Sequence, residues 1–99
     1  MKEMGRYKSS RRGRLETMNE ILNISMEGAR KTHIMYRANL SHSQLEKYLG
    51  ILMDKELLDI EDTLYVITEK GKEFVKKFVE IQSILDENSP TKVSWRNSI

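Results

Sequence analysis

The chain has 99 residues, 38% of them hydrophobic and 32% charged, a composition that suits one small domain with a modest core. It contains no Cys and carries a formal net charge of +2, which excludes a disulfide framework, a thiolate metal site and a thiol nucleophile. No apolar run approaches the roughly 20 residues of a membrane span, and the basic N-terminus lacks the apolar segment of a signal peptide. A cytoplasmic protein with no membrane partner is the expectation.

The charge is unevenly placed. Residues 1–14 hold six cations (Lys2, Arg6, Lys8, Arg11, Arg12, Arg14) against Glu3, a net of +5, and the other 85 residues sum to −3. With two glycines and few apolar residues, positions 1–13 read as a flexible basic arm. An arm of this kind on a near-neutral or acidic body is a common layout for nucleic-acid binding; a solvated tail that aids solubility is the plainer reading.

A first helix is expected from Ser10 or Arg14 to Glu27. Leu15, Met18, Ile21, Leu22 and Met26 share one face, and Gly28 suits the position just beyond the helix end. A second helix follows over Lys31 to Ala38. Asn39 then tolerates the left-handed conformation that a helix C-terminus often needs. Ser41 and Gln44 form an S-x-x-Q capping box that opens a third helix, running to about Lys55 with Leu45, Tyr48, Leu49, Leu52 and Met53 on its buried stripe. Helix, short turn and capped helix make a helix-turn-helix, whose second helix is of the kind that enters a DNA major groove. Gly50 interrupts the third helix at a cost of about 1 kcal/mol relative to Ala, and close helix packing is the favoured reason, close approach of DNA the other.

Residues 57–68, LLDIEDTLYVIT, read as two strands around a turn at Glu61-Asp62-Thr63, a wing with an acidic tip. Thr68 caps a last helix from Glu69 to about Asn88, and Pro90 stops it. Phe74, Phe78, Ile81 and Leu85 are spaced 4, 3 and 4 apart, a heptad seam flanked by Val75, Val79 and Ile84. The outer half of such a helix, about 30 Å long in all, reaches beyond a small body, so Ile81, Ile84 and Leu85 are expected to pair with a second copy; packing within one monomer is the alternative. The domain plan is therefore an arm (1–13), a winged helix-turn-helix (14–68), a dimerisation helix (69–88) and a loose tail (89–99) that includes Trp95.

Three runs together are similar to a known family: T-H-I-M-Y-R-A-N-L-S, then L-x-x-Y-L-x-x-L-M, then Y-V-I-T-E-K-G-K-E before an apolar helix. Over roughly Arg14 to Leu85 they resemble the small archaeal "ten-a" winged-helix DNA-binding proteins. The resemblance implies a mainly α winged helix whose last helix forms an antiparallel coiled-coil dimer, binding double-stranded DNA in a chromatin-like or regulatory role.

Candidate contact residues follow from position and chemistry. Arg6, Lys8, Arg11, Arg12 and Arg14 would neutralise phosphates, as would Arg37 and Lys47. Asn39, Ser41, His42, Ser43 and Gln44 stand at the start of the third helix, where hydrogen bonds to base edges are made, although Gln44 is also the cap partner. An ordinary solvated helix face is the plainer reading of these positions, and weak sequence preference is expected. Tyr36 and Tyr48 read as core residues with a wet hydroxyl, with stacking on bases as the alternative. His33 and His42 lack Cys or carboxylate companions at ligand spacing, and Ser41-His42-Ser43 has no orienting acid. No metal, cofactor, small-molecule ligand or catalytic centre is expected. Two functions are consistent with this reading: a dimeric double-stranded DNA-binding protein, regulatory or nucleoid-associated, or a winged helix that serves as a protein-interaction module in a transcription or other assembly.

Overall fold

A computed structural model describes residues 13–85; the basic arm at residues 1–12, the stretch expected to end the last helix and the tail with Trp95 lie outside the described residues. The order is α1 (Arg14–Ile24), α2 (Lys31–Ala38), α3 (His42–Asp54), β1 (Leu58–Glu61), β2 (Leu64–Ile67) and α4 (Glu69–Leu85). The strands pair antiparallel, with Leu58 opposite Ile67 and Glu61 opposite Leu64. This is a winged helix with a long last helix. Among the described residues, no helix is long and apolar enough to cross a membrane.

Gly13 takes an extended conformation at the start of α1 and its N–H donates to Glu16 Oε1 at 2.6 Å. Thr17 is buried because its hydroxyl has a partner, the Gly13 carbonyl at 3.1 Å. The helix ends at Ile24, three residues before the expected Glu27. Ser25 ends it. Its hydroxyl donates to the Ile21 carbonyl at 2.9 Å, and its own carbonyl accepts from Ile67 at 3.1 Å. Ala29 then pairs with Tyr65 in both directions, at 2.9 and 2.8 Å. The segment 25–29 is thus stitched to β2, and a helical continuation would forfeit those bonds. Gly28, at φ 92, allows the reversal between the two contacts.

The expected apolar face of α1 is only partly covered. Met18, Ile21 and Leu22 are buried as expected, but Leu15 is 57% and Met26 40% exposed. Leu15 lies in the first turn, and Met26 has left the helical register. The core gathers those three residues with Ile34 and Ala38 of α2, Leu45, Leu49 and Leu52 of α3, Leu57 and Leu58, Ile67 of β2 and Val75 of α4. Tyr48 and Met53 pack against it partly buried. Tyr36 does not join it; it is 78% exposed, because Ile34 and Ala38 supply the inward face of the short α2.

Thr68 joins the wing to α4. Its hydroxyl accepts from the Gly71 N–H at 3.0 Å and donates to the Glu56 carbonyl at 2.7 Å, while its N–H donates to the Leu57 carbonyl at 3.1 Å. Phe74 and Phe78 stack with ring centroids 6.4 Å apart.

Candidate nucleic-acid interface

The turn between α2 and α3 is built as the residues dictate. Asn39 sits in the left-handed region (φ 56, ψ 53), its N–H donating to the Tyr36 carbonyl at 3.2 Å. The Leu40 N–H returns to the Met35 carbonyl at 3.1 Å. Both bonds satisfy carbonyls that the end of α2 would otherwise leave free. Ser41 Oγ accepts from the Gln44 N–H at 3.2 Å and Gln44 Oε1 accepts from the Ser41 N–H at 3.0 Å, so the capping box is reciprocal. Gln44 is therefore occupied as a cap, and its amide nitrogen is the part left for a base edge. Leu45, Leu49 and Leu52 anchor the inner face of α3 in the core.

The outer face of α3 is solvent-exposed along its whole length. His42, Ser43, Glu46, Lys47 and Gly50 all lie on it. A Cβ built on Gly50 would meet nothing within 4 Å. Helix packing therefore does not explain this glycine, which corrects the favoured expectation. Glu46 is held on that face: Lys31 Nζ, from the first residue of α2, donates to Glu46 Oε2, and His42 Nε2 lies 3.5 Å from the same oxygen. The hydrogen bond to Lys31, reinforced by the charge of Lys31 and by His42, holds the Glu46 carboxyl below its ordinary range. Glu46 in turn raises the Lys31 ammonium, first through the same bond.

The named residues do not all converge. Asn39, Ser41, His42, Ser43, Gln44 and Lys47 form one exposed patch at the start of α3. Arg14 is exposed at the start of α1. Arg37 lines a different feature, a cleft of about 460 Å³ shared with Glu16, Asn19, Glu20, Asn23 and Ile24 of α1 and Phe78 of α4. Arg6, Lys8, Arg11 and Arg12 fall outside the described residues. Lys31 was not among the sequence candidates. It is 15 residues from Glu46, a separation that no helical-spacing rule connects. The wing tip presents Glu61 and Asp62 to solvent, with Asp62 in the left-handed region (φ 61). Among the described residues no group of His and carboxylates could hold a metal ion.

The proposed seam on α4 divides in two. Phe74 and Phe78 are half-buried, Phe74 against the core and Phe78 in the cleft beside α1. Val79, Ile81, Ile84 and Leu85 are exposed, the last two at 66% and 73%.

Comparison with known proteins agrees with this architecture. A crystal structure of Sso10a-2, a DNA-binding protein from Sulfolobus solfataricus, matches with a TM-score of 0.62 at 33% sequence identity, covering 84% of this chain and 94% of that one. An uncharacterized protein of Methanocaldococcus jannaschii is 34% identical over 82 residues, 82% of this chain and 81% of the relative. Another uncharacterized protein of that organism is 32% identical over 81 residues, but there the chain spans only 38% of the relative's length. The resemblance carried by the IMYRANLS run is borne out. The family profile described as winged helix-turn-helix matches residues 11–86, and the chain belongs to that family.

Proposed function

We propose that this chain binds double-stranded DNA, setting α3 into the major groove and laying its basic arm along phosphates, as a transcriptional regulator or nucleoid-associated factor. One observation carries the reading. The doubly capped turn at Asn39 and Ser41 fixes α3 against the core and leaves His42, Ser43 and Lys47 exposed at its N-terminal end, where a recognition helix meets base edges. The likeness to a DNA-binding protein of Sulfolobus supports it. The helix supplies little positive charge of its own, so most of the electrostatic affinity falls to Arg6, Lys8, Arg11, Arg12 and Arg14, with Arg37 and Lys47 as further phosphate partners. Pairing of two copies through the exposed Ile81, Ile84 and Leu85 of α4, with Phe74 and Phe78 at the inner end of the seam, would place two recognition helices on one duplex. Neither a catalytic role nor a cofactor is part of this proposal.

The test compares the full chain with one lacking residues 1–12, retaining Gly13 because it caps α1. Fluorescence anisotropy with a duplex is measured across a salt series. Each phosphate that the arm neutralises steepens the slope of log affinity against log salt by about 0.9, so the truncated chain should show a flatter line. Equal slopes for the two chains would remove the arm from the interface. A second reading, a protein-interaction module, is favoured by the acidic wing, where Glu61 and Asp62 stand beside the exposed Ile60 and Leu64. Absence of duplex binding by the full chain at low salt would select it.

A further inference from the structure

Glu46 is the single acid in the first three turns of α3 and lies on the exposed face proposed to meet DNA. Left to itself, a carboxylate there would repel phosphate and would undo most of what Lys47 contributes. The structure does not leave it to itself. Lys31 reaches across from α2 and donates to its Oε2, and His42 Nε2 lies 3.5 Å from the same oxygen.

Lys31 is the first residue of α2, Arg30 precedes it as the N-cap, and the first turn contains no acid. Cations at a helix N-terminus oppose the helix dipole, so Lys31 gains nothing from its own helix. Its hydrogen-bonding partner lies on another element, and both side chains are a little under half exposed. An exposed ion pair of this kind adds little to stability. Its main consequence is the charge that α3 presents.

We propose that Lys31 is a positioning residue of the DNA-binding face, which holds and neutralises Glu46 so that α3 offers Ser43 and Lys47 to the duplex without a competing negative charge. This inference rests on the DNA-binding reading. Lys31 acts through Glu46 and not as a phosphate ligand in its own right.

A double-mutant cycle on the full-length chain separates these roles. Affinity for a fluorescent duplex is measured at low and moderate salt for wild type, Lys31→Ala, Glu46→Gln and the double variant, with thermal melts as a check on folding. Lys31→Ala should weaken binding about three- to tenfold at low salt, because it exposes the Glu46 carboxylate near phosphates. Glu46→Gln should bind as tightly as wild type or tighter. The double variant should lie within about twofold of Glu46→Gln, since nothing is left for Lys31 to mask. The exchanged pair, Lys31→Glu with Glu46→Lys, retains the link and moves the positive charge onto α3, so it should bind at least as tightly as wild type. It also serves as the second probe if Lys31→Ala melts early. An equal loss on Lys31→Ala with and without Glu46→Gln, or weak binding by the exchanged pair, would overturn the inference and leave Lys31 as a direct phosphate contact. A wild-type chain that fails to bind duplex at low salt would remove the DNA-binding reading and this inference together.

Discussion

Among the described residues two glycines lie inside helices, and the same substitution should have opposite signs at the two sites. At Gly71 in the first turn of α4, an added Cβ would sit 2.2 Å from the Leu57 carbonyl oxygen and 2.6 Å from Ile67 Cγ1. The carbonyl cannot retreat freely, because it accepts the Thr68 N–H at 3.1 Å and the adjoining Glu56 carbonyl accepts the Thr68 hydroxyl at 2.7 Å. Relief of the overlap must therefore push α4 away from the wing and loosen the cap. Overpacking of a tight site costs about 1–3 kcal/mol, and weakening one or two of these hydrogen bonds adds about 1 kcal/mol each. Ala regains about 1 kcal/mol through its better helix propensity. The net expectation for Gly71→Ala is a loss of about 1–4 kcal/mol, or a fall in Tm on the order of 10 °C for a domain of this size. Gly50, with open space around its would-be Cβ, supplies the control. Gly50→Ala should gain about 1 kcal/mol from propensity alone. Urea denaturation followed by circular dichroism, at matched protein concentration, reads both. A Gly71→Ala variant as stable as wild type would refute the close approach of α4 to the wing. Duplex affinity adds a second use of the control: a stabilised Gly50→Ala variant that binds more weakly would place the DNA backbone close to this face.

Ser41→Ala removes one half of the capping box and should cost about 1 kcal/mol, measured as a lower urea midpoint with an unchanged slope; no change would mean that Gln44 alone secures the helix start. Replacing both Ile81 and Leu85 with Glu should convert a dimer to monomers in light scattering and weaken duplex binding through loss of bivalency, with the melting of the core little altered. Wild type that is itself monomeric at tens of micromolar would count against the pairing of α4.

The chain determined by itself whatever is settled within a few residues. The left-handed Asn39, the reciprocal Ser41–Gln44 cap, the hairpin at Asp62 and the Thr68 cap were all legible, because a cap or a tight turn joins groups at most three or four positions apart. The inward stripe of α3 was equally plain, since helical periodicity fixes which side chains share a face. Tertiary structure decided which expected faces are covered. Leu15 and Tyr36 belong to apolar helical patterns, yet no neighbouring element reaches them among the described residues, and they stay exposed. It also decided where α1 ends, because the bonds that stop it at Ser25 come from β2, about forty residues later in the chain. The link from Lys31 to Glu46 belongs to the same class. Its partners lie on different helices, and only the packing of α2 against α3 brings the ammonium to the carboxylate. Local chemistry thus specified α3, and the fold around it determined the charge that the helix presents.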